Sequence, residues 1–130
     1  MAIVNKPAIV AEMTAMLDRY DRAIATNDVD ALDEMFWRNE ATHRYGPNGS
    51  LYGHAAISAF RRGRNIKGVE RTRGRTVITT FGEDFAVADA EYSRPGLKGV
   101  SRQSQTWARM PEGWRIIAAH VSDFEAAKSG

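Results

Sequence analysis

The segment that decides the fold is RQSQTWARMPEGWRIIAAHVS, which runs from Arg102 to Ser122. Residues of high β propensity lie on both sides of the sequence PEG, which has the length and composition of a hairpin turn. Two earlier runs, at 71–81 and 84–94, have the same character, and the turn sequences GED and PGLKG follow them. The second half of the chain therefore predicts four consecutive strands, joined by hairpins into an antiparallel sheet.

The first part of the chain has a helical period instead. Over residues 7–25 apolar side chains recur in steps of three and four, and Tyr20 belongs to this stripe. A short second helix is predicted to begin after a cap at Asn27 or Asp28 and to end near Phe36. Tyr20 should therefore be buried against the rest of the protein.

The stretch between these helices and the sheet combines three short elements. We predict a strand at 41–45, a turn at 47–53 and a third helix in HAAISAFRRGR at 54–64. Helices followed by a curled meander of strands are typical of an α+β fold, in which the helices cover one face of the sheet.

Length and composition fit one globular domain over residues 1–130. With 43% apolar and 26% charged residues, a chain of 130 residues can bury a core without disulfides, and it has no cysteine. No apolar run approaches the roughly 18 residues of a membrane span, and no basic segment precedes the first apolar residues. We therefore expect a cytoplasmic protein that does not bind membranes.

Arginine dominates the positive charge, because 14 of the 18 basic residues are arginines. Six of them fall between Arg61 and Arg75, where Phe60 is the one aromatic neighbour. A groove for nucleic acid would interleave basic side chains with stacking aromatics, so no nucleic-acid partner is expected. Most of this run is interpreted as a solvated, salt-bridged surface.

Two common kinds of catalytic site lack their sequence signals. The three histidines, His43, His54 and His120, have no metal-ligand spacing, and no G-x-S-x-G nucleophile motif occurs. We therefore expect no metal and no cofactor.

The sequence THRYG at 42–46 raises a question about Arg44. In a strand, Thr42 and Arg44 share one face, and His43 and Tyr45 share the other. An arginine that points into a small domain needs a charge partner, since an unpaired buried charge is costly. Its partner could be a nearby acid or the carboxylate of a substrate; the candidate acids are Asp33, Glu34 and Glu40.

Several motifs together carry a family resemblance that covers nearly the whole chain. NDVDALDEMFW, LYGHAAISAF and RQSQTWARMPEGWRIIAAHVS resemble the nuclear-transport-factor-like, or SnoaL-like, superfamily. That likeness implies a cone-shaped, cystatin-like roll, in which three N-terminal helices pack in a strongly curved, mainly antiparallel sheet. It also implies a pocket at the mouth of the cone and a homodimer that forms through the sheet.

A narrower resemblance points to a reaction. RYD, THRYG, LYG and RTVITTFG, together with the segment at 102–122, are similar to the AtzH-like family. The resemblance implies a decarboxylating amidohydrolase that converts dicarboxyurea to allophanate, with Tyr20 and Arg44 as the essential residues. It leaves open the HpxZ-type alternative, which is either an enzyme of oxalurate and purine catabolism or a non-catalytic subunit of an amidase partner.

The two essential candidates have distinct chemistry. Arg44 would bind a carboxylate through a bidentate ion pair, and Tyr20 would give a proton to the nitrogen of a small carboxylated urea or ureido acid. From its pattern alone, Tyr20 could equally be a core aromatic residue whose hydroxyl bonds the backbone.

Four further residues are candidates for substrate binding. Gln103 and Gln105 share a strand face with Trp107, but the period cannot say whether that face lines the cone. Arg75 is the candidate for a second carboxylate clamp. His120 shares a face with apolar residues in the predicted last strand, and it could bind substrate or be a satisfied core histidine.

Overall fold

The computed structural model describes residues 3–64 and 70–125. Three helices come first: α1 Pro7–Thr26, α2 Val29–Met35 and, after the first hairpin, α3 His54–Gly63. The six strands are β1 His43–Gly46, β2 Gly49–Tyr52, β3 Thr72–Phe81, β4 Phe85–Ser93, β5 Gly99–Met110 and β6 Gly113–Glu125. No helix in the described part of the chain is long and apolar enough to cross a membrane.

The strands form one sheet in the order β2-β1-β6-β5-β4-β3. All neighbours are antiparallel except β1 and β6, which run parallel. The α+β prediction and the four hairpin-linked strands from β3 to β6 are confirmed. The prediction of a turn over 47–53 is partly wrong, because Gly49–Tyr52 pairs with β1 as a strand. This strand is short and mostly exposed, so it carries no apolar alternation that a sequence pattern could reveal.

Local sequence explains where the first two helices begin and end. Pro7 lies in the first turn of α1, where the missing N–H costs nothing. Asn27 ends α1 in the left-handed conformation, and its N–H bonds the carbonyls of Ala23 and Ile24. The side chain of Asp28 accepts from the N–H of Ala31 and caps α2.

The apolar stripe of α1 faces the hollow of the sheet, as predicted. It packs on β3 and β4, while α2 packs on β6 and α3 on β1 and β2. The largest side chains of this core are Trp107, Tyr92, Phe36, Met13, Leu17 and Leu32, each less than 2% exposed. The helices thus fill the narrow part of the hollow and leave room at its wide end.

Two irregularities decide which strand residues face the hollow. In β3 the pairing with β4 shifts between Arg73 and Thr76, so that Thr76 and Arg73 both point inward. In β6 the pairing shifts beside Ile117, which leaves Ala119 inward. Because each bulge inserts one residue, the alternation reverses beyond it.

Candidate functional site: an arginine-rich cavity around a buried tyrosine

A cavity of about 700 Å³ opens at the wide end of the hollow. Its walls come from α1, α3, the hairpin of β1 and β2, and the inward faces of β4, β5 and β6. The lining includes basic and aromatic side chains, among them Tyr20, Arg44, Phe60, Arg61, Arg64 and Arg71. It also includes one acid, Asp123, which pairs with Arg94 at 3.2 Å.

Tyr20 lies at the inner end of this cavity and is only 3% exposed. Its position on the buried stripe of α1 is the one that the helical period predicted. The phenol oxygen accepts a hydrogen bond from Nη2 of Arg61 at 3.1 Å. Since the oxygen is the acceptor here, the phenol hydrogen remains free to be donated to a ligand.

The surroundings of Tyr20 favour its phenolate. Burial by itself raises the pKa of Tyr20, but the positive charges of Arg61, Arg71 and Arg44, with the Arg61 hydrogen bond, outweigh it. The pKa of this phenol therefore lies below its usual value. A phenol of this kind donates a proton more readily than an ordinary tyrosine.

Arg44 points into the cavity from β1, as the family resemblance implied. Its guanidinium carbon lies 5.4 Å from the centre of the Phe60 ring, and it forms no ion pair with any acid in residues 3–64 and 70–125. Burial lowers the pKa of Arg44, and the neighbouring arginines lower it further, while Tyr20 opposes them. A negatively charged ligand would offset both the burial of the Arg44 charge and its repulsion by the other arginines.

Two of the acids considered as partners for Arg44 are engaged elsewhere. Asp33 accepts from Arg62 at 2.6 Å, and Glu34 pairs with Arg19 at 3.4 Å. Glu40 forms no ion pair in the described part of the chain. The structure thus provides no protein carboxylate for Arg44.

Arg61 enters the cavity from the last turn of α3, one turn after the buried Ile57. Its side chain is 4% exposed, and its Nε has no hydrogen-bond partner among the described residues. Its guanidinium carbon also lies 5.9 Å from the centre of the Phe36 ring. A buried guanidinium with an unused N–H is an unfilled hydrogen-bonding position.

Arg71 forms the opposite wall and is held by several partners. It donates to Asp21 at 3.0 Å and to Gln103 at 3.2 Å, and it stacks 3.7 Å from the centre of the Tyr92 ring. Tyr92 donates to the same carboxylate at 2.7 Å. Burial is the main reason that the pKa of Tyr92 is raised, so this second tyrosine stays protonated and structural.

The structure settles which face of β5 lines the hollow. Gln103 and Gln105 are 2% and 1% exposed, whereas Ser104 lies on the outer side. Gln103 reaches the cavity wall, but Gln105 lies deeper and accepts from Nε1 of Trp107 at 3.1 Å. Of the two glutamines, Gln103 is therefore the one that a ligand in the cavity can contact.

Arg75 and His120 do not reach the cavity. Arg75 follows the bulge of β3 and lies exposed on the outer face with Val77. His120 follows the bulge of β6 and lies on the outer side, with its ring 5.8 Å from that of Tyr45. Within each strand segment, side chains alternate between the two faces as the sequence predicted. The extra residue at each bulge reverses this alternation, and Arg75 and His120 therefore lie on the outer face.

The cavity residues that sequence reasoning missed include Arg61, Arg64, Arg71 and Tyr92. Most of the arginine-rich run was interpreted as solvated surface. One signal was available, because Arg61 stands four residues after Ile57 and so shares its helix face. Arg71 had no such signal, since its inward direction depends on the tertiary contact with Asp21 on α1.

The arrangement combines a receptor for anions with a proton donor. Arg44, Arg61 and Arg64 form no ion pair with an acid in the described ranges, and Tyr20 lies among them. Within those ranges no three side chains of His, Asp or Glu are grouped as ligands of a metal ion.

Comparison with known proteins gives this chain close relatives. A family model described as AtzH-like matches residues 2–127. A protein of unknown function from Pectobacterium atrosepticum is 50% identical, with a TM-score of 0.90 over 94% of this chain and 95% of that chain. A cystatin-like fold protein from Burkholderia xenovorans is 40% identical, with a TM-score of 0.91 over 98% and 100% of the two chains.

A more distant likeness concerns the fold alone. A nuclear transport factor 2-like protein from Salmonella enterica is 24% identical, with a TM-score of 0.73 over 94% of each chain. Among proteins of curated function, none matches this sequence.

Proposed function

This chain belongs to the AtzH-like family of the nuclear-transport-factor-2-like superfamily, and from that premise we propose that it decarboxylates a small carboxylated urea. The proposed reaction is the conversion of dicarboxyurea to allophanate in the breakdown of nitrogen compounds. The superfamily fold also occurs in a protein described as a putative ketosteroid isomerase, so the fold is compatible with an enzyme.

The observation that carries this proposal is the charge of the cavity. Three guanidiniums, those of Arg44, Arg61 and Arg64, lack an acidic partner in the described chain and surround one buried phenol. A ligand with two carboxylates supplies the missing negative charge. Guanidiniums bind carboxylates through paired hydrogen bonds, which would also fix the orientation of the ligand.

The chemistry that these residues can perform is a proton transfer coupled to the loss of carbon dioxide. Dicarboxyurea has one carboxylate on each nitrogen, and cleavage of one N–C bond leaves its electron pair on that nitrogen. Tyr20 would donate its proton to the nitrogen as the bond breaks, so that carbon dioxide and allophanate are formed. The proton that Tyr20 loses is then replaced from water.

Electrostatics near Tyr20 assist this step. Negative charge moves from the departing carboxylate to the nitrogen and then to the phenol oxygen, which Arg61 already contacts at 3.1 Å. The arginine therefore stabilises the phenolate that the proton transfer produces. Gln103 Oε1 accepts from Arg71 at 3.2 Å and Nε2 donates to the Tyr92 hydroxyl at 3.4 Å, so the second hydrogen on Nε2 would donate to the carbonyl of the urea.

The HpxZ-type alternative would use the same cavity for oxalurate. Oxalurate has a single carboxylate, so it would leave more of the positive charge of Arg44, Arg61 and Arg64 without a partner. The charge of the cavity thus favours the doubly charged urea as substrate.

The test of the proposal offers the purified chain freshly generated dicarboxyurea and, in separate reactions, oxalurate. We expect carbon dioxide and allophanate to form from dicarboxyurea faster than in buffer, and oxalurate to remain unchanged. Turnover of oxalurate alone would overturn the proposal in favour of the HpxZ-type reaction. If neither compound is turned over and the chain instead co-purifies with an amidase that needs it, the accessory role replaces the proposed one.

A further inference from the structure

Four arginines of the cavity, of which Arg71 is paired with Asp21, fall into two groups, one beside Phe60 and one beside Tyr20. The guanidinium carbons of Arg44 and Arg64 lie 5.4 Å and 5.2 Å from the centre of the Phe60 ring. Arg61 instead donates to the Tyr20 hydroxyl, and Arg71 lies 5.9 Å from the centre of the Tyr20 ring. The Phe60 ring thus has two arginines beside it, and the Tyr20 hydroxyl is contacted by Arg61.

Both groups have unused hydrogen-bond donors. The Nε atoms of Arg61 and Arg71 are buried and have no partner in the described residues. The guanidiniums of Arg44 and Arg64 contact Phe60 and form no hydrogen bond or ion pair within residues 3–64 and 70–125. Cation–π contact orients a guanidinium while leaving its N–H groups in the ring plane available to an anion.

All four arginines line the same cavity of about 700 Å³, which one small ligand can occupy. Burial lowers the pKa of Arg44, and its neighbours Arg61, Arg64 and Arg71 lower it further. Burial likewise lowers the pKa of Arg64, with Arg61 as the next cause. These directions are the ones expected of like charges that line one cavity.

We propose that the cavity has two carboxylate subsites, one formed by Arg44 and Arg64 on Phe60 and the other by Arg61 beside Tyr20. Arg64 then selects ligands with two carboxylates over ligands with one. This inference rests on the proposed function only for the identity of the natural ligand, because the subsites themselves follow from the positions of the arginines.

Glutarate is a suitable probe for this inference. Its five-carbon spine has the same length as the C–N–C–N–C spine of dicarboxyurea, it has a carboxylate at each end, and it cannot lose carbon dioxide in the proposed way. Pentanoate has a spine of the same length with a single carboxylate. The difference between their affinities therefore measures what the second carboxylate contributes.

The experiment measures both dissociation constants by isothermal titration calorimetry on the full chain, and compares Arg64→Gln with Arg75→Gln. Both variants remove one positive charge, but Arg75 lies exposed on the outer face of the sheet. We expect wild type and Arg75→Gln to bind glutarate at least about tenfold more tightly than pentanoate, since a charge-assisted hydrogen bond contributes about that factor or more. In Arg64→Gln this preference should fall to about threefold or less, with an unchanged melting temperature of the free protein.

Equal affinities for the two acids, or the same loss of preference in Arg75→Gln as in Arg64→Gln, would overturn the two-subsite inference. The outcome is separable from the fate of the proposed reaction. A preference for glutarate without turnover of dicarboxyurea would retain the subsites and reject the reaction. Turnover of dicarboxyurea without a preference for glutarate would retain the reaction and reject the subsites.

Discussion

Nη2 of Arg61 lies 3.1 Å from the hydroxyl oxygen of Tyr20, and both side chains are more than nine-tenths buried. The arginine comes from α3 and the tyrosine from α1, so the contact joins two helices at the inner end of the cavity. It fixes the phenol as an acceptor toward the protein and as a donor toward a ligand.

This contact leads to a prediction about pH. Tyr20 must be protonated to act as an acid, so activity should fall as pH rises through its pKa, which lies below that of an ordinary tyrosine. Among the positive charges that lower this pKa, Arg61 contributes most, and its removal raises the pKa. We therefore expect the alkaline limb of the pH–rate profile to move to higher pH in Arg61→Gln.

The control for the pH prediction is Arg75→Gln, which removes a charge from the outer face of the sheet. Its alkaline limb should coincide with that of the wild type. An unshifted limb in Arg61→Gln would mean that Tyr20 is not the group that titrates.

Gly46 offers a way to displace Arg44 without touching its charge. A methyl group on Gly46 would lie 2.9 Å from Nη1 of Arg44, so the guanidinium has to move. A small displacement of a binding group can cost a large factor, and we expect Gly46→Ala to lower kcat/KM by about tenfold to a hundredfold. The free energy of unfolding should change by less than about 1 kcal/mol, because the displaced side chain borders a cavity.

Gly63→Ala is the matched control for this substitution. Gly63 ends α3, and a methyl group there meets no atom within 4 Å. Steady-state kinetics of both variants give the comparison. Equal kcat/KM values for Gly46→Ala and wild type would show that the position of Arg44 is unimportant.

The helices, and the strands other than β2, could be predicted because each carries its own pattern. β3 to β6 have β-branched residues and turn signals, and α1 has its apolar stripe. The outer positions of Arg75 and His120 could not be predicted, since a bulge depends on how neighbouring strands pair.

The candidate site was only partly visible in the sequence for a related reason. Tyr20 and Arg44 have clear periodic positions in α1 and β1, and they do reach the same cavity. Arg71 lies inward because Asp21 and Gln103 bind it, and these partners are 50 and 32 residues away in the chain. Contacts over such separations leave no local pattern.

Asp21 should be the acid on which the stability of the cavity wall depends. Its carboxylate accepts from Arg71 at 3.0 Å, from Arg73 at 2.8 Å and from Tyr92 at 2.7 Å. Asp21→Asn leaves the partly buried Arg71 without its charge partner, while Arg73 keeps Asp18 at 2.7 Å, so we expect the free energy of unfolding to fall by about 2–4 kcal/mol. Urea denaturation measures this loss.

The comparison for Asp21 is Asp30→Asn, which removes a carboxylate that is 90% exposed and pairs with Arg62. An exposed ion pair contributes little, and the loss there should be below about 1 kcal/mol. Similar losses in the two variants would mean that the Asp21 contacts do not hold the wall together.

The outer face of the sheet carries apolar side chains that suit a homodimer. Tyr52, Val77, Phe85 and Phe124 lie there, and each is between 46% and 66% exposed. We propose that two copies bury this face against each other, and light scattering at micromolar concentration should give twice the chain mass of 14.4 kDa. A monomer under those conditions would contradict this assembly.

The most direct test of the central claim is the rate of carbon dioxide release from freshly generated dicarboxyurea in four matched variants. We expect the wild type to release carbon dioxide faster than buffer does. In Tyr20→Phe and Arg44→Gln this acceleration should be about 10² to 10⁴-fold smaller. Tyr52→Phe and Arg75→Gln make the same chemical changes on the outer face and should retain it. No acceleration by the wild type, or full activity in both Tyr20→Phe and Arg44→Gln, would contradict the claim that these two residues decarboxylate a carboxylated urea.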